Sequence, residues 1–296
     1  MSQFAGKTAI ISGGAEGIGF SIAQAVGKRG MNVVLGDIDA AQLQQAEDKL
    51  TAQGVAVHTV QMDVSKQEQW QEIATQAQAR FGNIHMLVNN AGVSGTPGDV
   101  EHTDASDWQW VLGVNLMGVV YGTAAIAPLL KAHGEGGWLI NVASMAGMMG
   151  VPYGGSYTAT KVAVVGMSEC WHAELAPHNI QVSVLCPAFV KTRINLAHRN
   201  RQAEYTDDRV SGGAASEQLS ALAEHMQSVV DAGLDPEVVG ERVVEAITAG
   251  ELYIFTHPNY RSAVQARSRA IDEAFERAAA SPLLQHVLHE KIASFS

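Results

Sequence analysis

Short apolar runs rich in β-branched residues alternate with longer amphipathic stretches along most of the chain. Such runs are typical of buried strands, whereas an apolar period of 3.6 is typical of helices. The pattern predicts strands over 7–12, 32–35, 55–62, 84–88, 138–142, 180–185 and 251–256. It predicts helices over 20–29, from about 39, over 66–81 and 106–133, up to about 177, and over 236–249 and 260–279.

The alternation of strands and helices continues without a break in composition, which predicts one α/β domain over residues 1–296. The expected fold is a doubly wound parallel sheet of Rossmann type, with helices on both faces. Residues 193–235 interrupt the pattern with polar, Gly- and Ser-containing sequence and a weak helical pattern over 216–230, which indicates a substrate lid or a disordered insertion. Residues 257–296 form a predicted helical extension that packs on the body or on another subunit.

Composition narrows the possible functions. The 296 residues are 47% hydrophobic and 17% charged, as in a folded protein, and the net charge is −11. A surface this acidic repels nucleic acid and anionic membrane. The N-terminus has no secretory pattern, and we expect that no apolar run approaches the length of a membrane span. We therefore expect a cytoplasmic protein. Cys170 and Cys186 are interpreted as reduced core thiols and not as a disulfide or metal site, and we expect no metal.

A glycine-rich turn follows the first predicted strand. Gly13 permits a tight turn, Gly17 lets the backbone approach a pyrophosphate, and Gly19 allows a helix to pack closely on the strand. The order of strand, glycine turn and helix places a phosphate at the helix N-terminus. Glycine turns also close ordinary βα units, so this turn alone does not establish a nucleotide site.

Acidic residues follow the second and third predicted strands. Asp37 can accept the two ribose hydroxyls of NAD and would repel a 2′-phosphate, or it caps the helix from about 39. Glu16 adds negative charge in the glycine turn, where an NADP site would favour a basic residue. Asp63 can accept the exocyclic amine of adenine, or it caps the helix over 66–81. We therefore predict NAD in preference to NADP.

Tyr157 and Lys161 lie four residues apart in a predicted helix and therefore share one face. A phenol acts as a base near neutral pH only if its phenolate is stabilised. An ammonium about 4 Å away contributes roughly 4 kcal/mol at an effective dielectric of about 20, enough for about three pKa units. The alternative is an exposed helix face without function.

Other polar residues lie at the ends of later strands. Ser144 follows the fifth strand, at the end of a parallel sheet where ligands bind. Asn115 lies inside a predicted helix, which disfavours asparagine, so we expect a local kink, a bound water or a surface accident. The small residues after Asn89 would let the chain pass close to a cofactor. Met145 and Met148 line a pocket or fill the core.

These motifs together resemble the short-chain dehydrogenase/reductase family over about residues 7–256. Ser12 occupies the usual threonine position of TGxxxGxG, Asn89 begins the NNAG element, and Ala188 replaces the glycine of the usual Pro-Gly pair. The residues matching the family's catalytic tetrad are Asn115, Ser144, Tyr157 and Lys161. The lid and the ending LYIFTHP also resemble the Cα-dehydrogenases of lignin-derived aryl alcohols.

The resemblance implies a role for each matched position. Tyr157 would exchange the hydroxyl proton, Ser144 would bind the substrate oxygen, Lys161 would bind the nicotinamide ribose, and Asn115 would hold a water of a proton relay. The expected cofactor contacts are Ser12, Gly13, Gly17, Ile18, Gly19, Asp37, Ile38, Asp63, Val64, Asn90, Ala91, Gly92, Tyr157, Lys161, Pro187, Val190 and Thr192. The expected substrate contacts are Ser144, Met145, Tyr157 and Phe189.

The sequence therefore predicts an NAD-dependent oxidoreductase acting on a bulky, apolar or aromatic secondary alcohol or ketone. The alternatives are an NADPH-dependent carbonyl or 3-oxoacyl reductase and a nucleotide-sensing protein without catalysis. The resemblance also implies a homotetramer or homodimer. Its subunits would pair the helices near 107–130 and 156–175, although Val164, Met167 and Trp171 suit an internal core equally well.

Overall fold

The computed structural model describes residues 3–101, 103–206 and 217–291, with side chains from 224 onward in the last range. Seven parallel strands form one sheet in the order β3-β2-β1-β4-β5-β6-β7. The strands are β1 (Thr8–Ser12), β2 (Asn32–Asp37), β3 (Val57–Gln61), β4 (Met86–Asn89), β5 (Gly137–Val142), β6 (Ile180–Cys186) and β7 (Tyr253–Phe255). The predicted doubly wound parallel sheet is confirmed.

Helices connect successive strands and cover both faces of the sheet. They are α1 (Gly17–Gly27), α2 (Ala40–Ala52), α3 (Gln67–Phe81), α4 (Ala105–Leu112), α5 (Gly118–Ala132), α6 (Gly155–Leu175), α7 (Glu217–Asp231) and α8 (Pro236–Ala249). The strand order reverses between β1 and β4. In a parallel sheet, this reversal opens a crevice at the carboxyl ends of the strands, where ligands bind.

Alternate side chains of each strand serve two separate cores. Ile11 and Leu35 pack on the face covered by α1 and α8, while Ile10 and Val34 pack with Trp70 on the opposite face. Strands buried on both faces read as continuous apolar runs, which is why the sequence pattern predicts them well.

The predicted helix over 106–133 is interrupted. A π-helical segment, Gly113–Met117, separates α4 from α5. The combined stretch Ala105–Ala132 is long and apolar enough to cross a membrane, so the expectation that no run reaches that length is wrong. Because 56% of its most apolar window is buried in the fold, this single helix is weak evidence for a membrane.

The chain forms two compact units, 1–256 and 257–296. The second unit contains α9 (Arg261–Ala279) and a short 3₁₀ helix, Pro282–Val287. Its boundary is that of the predicted extension, and the assignment of both units to one domain stays a prediction. Of the predicted lid, residues 207–216 lie outside the described residues.

Candidate active site

The four predicted catalytic residues come from three elements that meet near the carboxyl ends of β4 and β5. Ser144 follows β5, Tyr157 and Lys161 lie on α6, and Asn115 lies in the π-helical segment. A Cβ placed on Gly92 would lie 3.4 Å from Asn115 Oδ1 and 3.6 Å from Lys161 Nζ. The predicted NNAG loop therefore passes directly beside this group.

Tyr157 is half-buried, and burial raises the pKa of its phenol above the usual value. A hydrogen bond with the Ser144 side chain acts in the opposite direction and lowers the pKa. The Ser144 hydroxyl also accepts a hydrogen bond from Ala146 N at 3.1 Å, which fixes its position. Ser144 is thus placed to stabilise the charged form of Tyr157.

Lys161 is only 3% exposed, which excludes the alternative of a plain surface helix face. Its Nζ donates a hydrogen bond to the carbonyl of Val142 at 2.9 Å and lies 5.4 Å from the centroid of the Tyr157 ring. Burial lowers the pKa of Lys161 to about 8. The expectation that this ammonium lowers the pKa of Tyr157 is not met here, because burial raises that pKa and Nζ faces a carbonyl.

Cys186 is a neighbour of these residues that the sequence motifs do not identify. The thiol is buried, and burial raises its pKa to about 12, although Lys161 and a backbone hydrogen bond from Ser144 act against this rise. It therefore remains a neutral thiol beside the lysine. The other cysteine, Cys170, is exposed, so only one of the two predicted core thiols lies in the core, and both are free.

Asn115 is fully buried and holds the loop after β4. Its Oδ1 accepts from Val93 N at 2.8 Å, and its Nδ2 donates to Val93 O at 2.8 Å and to Thr160 Oγ1 at 3.4 Å. The local distortion of the helix therefore explains this asparagine, and the surface alternative is wrong. Because the amide is fully engaged, its predicted water contact stays a prediction.

A side chain would be strained at each of the three glycines of the turn. Gly13 and Gly17 have φ values of 60° and 57°, and a Cβ on Gly19 would lie 2.3 Å from Gly13 O. The Asn90 amide donates to Ser12 O and Gly13 O, while the Ser12 hydroxyl accepts from Asn90 N and Ala91 N. Ser12 thus accepts the hydrogen bonds that a threonine hydroxyl could accept at this position.

The turn fits the diphosphate of a dinucleotide. Glu16 is the N-cap of α1, and its side chain makes no capping hydrogen bond, so the first backbone N–H groups of the helix keep their capacity for an anion. Gly17 lies against Thr192, whose Cγ2 would be 3.1 Å from a Cβ on that glycine. The predicted cofactor residues Gly17 and Thr192 are therefore in contact.

The charge of the turn differs from the expectation. Glu16 forms ion pairs with Arg193 and Arg199, so its carboxylate is neutralised and the group carries net positive charge. Glu16 therefore does not present an unpaired negative charge in the turn. The prediction of NAD in preference to NADP then depends on Asp37.

The Asp37 carboxylate links β2 to the glycine turn. It accepts from Ala15 N and Asp39 N, each at 3.1 Å. Burial raises its pKa. The alternative that Asp37 caps α2 is wrong, because Asp39 is the N-cap and accepts from Gln42 N at 3.0 Å.

Asp63 does not cap α3, whose N-cap is Lys66. The carboxylate accepts from both the backbone N and the hydroxyl of Ser65, and from Gln202 Nε2 at 2.9 Å. Gln202 belongs to residues 193–206, which we call the strap. The sequence motifs do not identify the contacts of the strap. The three arginines of the strap, in a chain with a net charge of −11, could have indicated ion pairs there.

The remaining predicted contacts to the cofactor and the substrate differ in their exposure to solvent. Val64, Met145, Pro187 and Val190 are buried, and Ile18, Ile38, Ala91 and Phe189 are half-buried. Val190 pairs with Leu234 in a parallel bridge. Val164, proposed for a subunit interface, is fully buried within the chain, whereas Met167 and Trp171 are half-buried.

Among the described residues, one group of the metal-binding type lies at the opposite ends of the strands: His85, His133 and Glu135. His85 Nδ1 accepts from Thr8 N, and its Nε2 faces Glu135. His133 Nε2 faces Ile84 O, and its Nδ1 accepts from Glu135 N. Both rings are therefore used as hydrogen-bonding groups. Burial lowers the pKa of His85.

Comparison with known proteins agrees with this geometry. Residues 7–203 match the family model described as short chain dehydrogenase. A C alpha-dehydrogenase of Sphingobium sp. SYK-6 is 32% identical over 271 residues, which cover 92% of this chain and 87% of the relative. A 3-alpha-(or 20-beta)-hydroxysteroid dehydrogenase of Mycobacterium tuberculosis is 39% identical over 187 residues, covering 63% and 70%.

A solved structure gives the same result. A short chain dehydrogenase/reductase from Burkholderia phymatum in complex with NAD superposes with a TM-score of 0.88 at 36% identity, covering 93% of this chain and 97% of that chain.

Proposed function

The chain belongs to the short-chain dehydrogenase family, and from that premise we propose that it is an NAD-dependent dehydrogenase of a bulky secondary alcohol. That it is an oxidoreductase acting on alcohol or ketone groups follows from the family. The observation that carries the proposal is the meeting of Ser144, Tyr157 and Lys161 beside the NNAG loop. The cofactor, the substrate class and the direction of reaction are the proposed part.

In oxidation, Tyr157 takes the hydroxyl proton of the substrate, and Ser144 donates a hydrogen bond to the substrate oxygen as negative charge develops there. A bound nicotinamide would supply the hydride acceptor. Lys161 is still mainly protonated at pH 7, since its pKa is about 8. Its ammonium is therefore available to bind ribose hydroxyls and to stabilise the phenolate once a ligand draws it from Val142 O.

Asp37 supports the choice of NAD. Its carboxylate lies at the end of β2, tied to the glycine turn through Ala15 N, where an adenosine ribose would bind. A 2′-phosphate at that position would meet a negative charge inside a partly desolvated site. The solved relative with NAD bound agrees with this choice.

A specific observation favours a second candidate, an NADPH-dependent carbonyl reductase. Arg193 and Arg199 bring positive charge to the glycine turn through Glu16. Titration with both nucleotides separates the candidates. Tighter binding of NADPH than of NADH would refute the argument from Asp37.

The apolar residues near the site support a bulky substrate. Phe189 is half-buried and Met145 lies directly after Ser144. The relatives named as a C alpha-dehydrogenase and a hydroxysteroid dehydrogenase agree with a large alcohol. We propose a secondary alcohol with an aromatic or polycyclic group.

The test is an NADH-forming screen on secondary alcohols graded by size, with Tyr157→Phe as the matched variant. We expect turnover that increases with apolar bulk, and a variant that binds NADH as the wild type does but loses at least about 100-fold in kcat. Near-normal kcat in the variant would show that Tyr157 is not the base. Absence of turnover across the whole panel would favour a nucleotide-sensing protein.

We also propose a cytoplasmic location, from the acidic composition and the two free cysteines, and a homotetramer or homodimer. Light scattering at working concentration tests the assembly, and a monomer would reject it.

A further inference from the structure

Different partners hold the strap, residues 193–206, at several points along its length. At one end, Arg193 and Arg199 pair with Glu16 of the glycine turn. Near the other end, Gln202 donates to Asp63, and Lys66 pairs with Glu204 at 2.6 Å. All of these partners lie on the side of the site where the cofactor residues are. Another anchor, Arg201, binds a different part of the fold.

Arg201 fastens the strap to α4. Its Nη1 donates to Asp107 Oδ1 at 2.9 Å, and its Nη2 donates to Ser106 Oγ at 3.2 Å. Nε and Nη2 both donate to Tyr205 O, at 3.1 and 2.9 Å, and the guanidinium lies 4.8 Å from the centroid of the Trp110 ring. The planar fork of arginine makes all of these contacts at once, which lysine does not reproduce.

Asp107 continues this connection to the loop after β4. Its side chain is 4% exposed, and besides Arg201 it accepts from both the backbone N and the hydroxyl of Thr96. A carboxylate so deeply buried requires a positive partner, because an unpaired charge there would be strongly unfavourable. Arg201 is that partner.

The loop fixed by Asp107 borders the helix that carries the proposed base. A Cβ on Gly95 would lie 3.0 Å from Asp107 Oδ2 and 3.2 Å from Ser156 Oγ, and Ser156 directly precedes Tyr157. Ser94 Oγ also donates to Ile194 O of the strap at 3.2 Å. The strap and the loop are thus joined to each other beside the site of substrate chemistry.

We infer that Arg201 is a positioning residue that, through Asp107, holds the strap and loop 94–96 as one wall of the alcohol-binding pocket. The inference rests on the proposed function. It assigns separate effects to the contacts of the strap with Glu16 and Asp63 and to the contact of Arg201 with Asp107. The pairs with Glu16 and Asp63 remain when Arg201 is lost, so nucleotide binding is preserved. The wall beside Ser156 loosens, so alcohol binding is weakened.

The test is Arg201→Met, assayed with an alcohol that the wild type oxidises. We expect the KM for the alcohol to rise at least 10-fold, kcat to fall less than 3-fold, and the Kd of NADH, measured by fluorescence without alcohol, to stay within 2-fold. Arg201→Lys keeps the charge but loses the fork, and its KM should lie between the two. Arg242→Met is the matched control, since Arg242 pairs with Glu245 and Glu251 and contacts neither strap nor loop in these pairs. All three constants should stay within 2-fold in this control.

If Arg201→Met does not fold, Asp107→Asn takes its place, with an expected rise in KM of at least 3-fold at unchanged Kd. An unchanged KM, an equal rise in KM and in the Kd of NADH, or a loss confined to kcat would overturn the inference. Failure of the proposed function is distinguishable, because the wild type itself would then oxidise no alcohol.

Discussion

Replacing Lys161 by methionine is expected to change how the free energy of unfolding depends on pH. The direction of this change follows from the burial of the lysine. The side chain is 3% exposed, and burial lowers its pKa from 10.5 to about 8. This difference means that the fold disfavours the ammonium by about 3 kcal/mol relative to the neutral amine. Methionine has a similar length and carries no charge to bury.

The sign follows from proton binding. Below pH 8 the lysine is protonated in the folded and the unfolded chain, and the full penalty applies. Between pH 8 and 10.5 the folded state releases its proton first, so the unfolded state binds more protons and the stability of the wild type rises with pH. The variant lacks this rise. The stability of the variant relative to the wild type should therefore fall by about 2 kcal/mol between pH 7 and pH 9.5.

The loss of a hydrogen bond does not produce the same result. Methionine leaves Val142 O without the donor that it has at 2.9 Å, which costs about 1–3 kcal/mol. Because neutral and charged lysine can both donate, this cost is nearly constant with pH. It lowers the stability of the variant relative to the wild type by the same amount at every pH and does not change how that relative stability varies with pH. At pH 7 the cost of the lost bond offsets between about a third and all of the penalty on the charge.

The assay is equilibrium unfolding in urea at several pH values between 7 and 9.5, with both proteins at the same concentration. Lys131→Met, at an exposed position on α5, is the control and should show no change in relative stability with pH. A relative stability of Lys161→Met that is constant with pH, or that rises, would refute a depressed pKa at Lys161.

Two further results are expected. Asp37→Ser removes the carboxylate at the end of β2, so the affinity for NADP relative to NAD should rise at least about 10-fold, because a charge repulsion of at least about 1.4 kcal/mol is lost. Nucleotide titration measures this ratio, and equal changes for both nucleotides would contradict the prediction. Asn115→Ala leaves both main-chain groups of Val93 without their partners, and we expect a loss of about 2–4 kcal/mol in the free energy of unfolding, measured by denaturation. An unchanged midpoint would show that water replaces the amide.

The sequence by itself determines the sheet and the position of the chemistry. Ile10 and Ile11 alternate between two cores, and a strand buried on both faces must be apolar along its length, so its pattern is visible without coordinates. The glycine turn is equally local, because the close approach at Gly19 leaves no space for a Cβ. The four-residue spacing of Tyr157 and Lys161 places both on one helical face.

Only the tertiary structure decides what surrounds those groups. The partners of Glu16 lie 177 and 183 residues away in the chain, and those of Asp107 include Arg201, 94 residues away. The pKa of Tyr157 rises instead of falling because it depends on the loss of water around the phenol, and helical spacing does not encode that loss. Local backbone preferences act between near neighbours and can be read from the sequence. Desolvation and ion pairing depend on segments that meet only after folding.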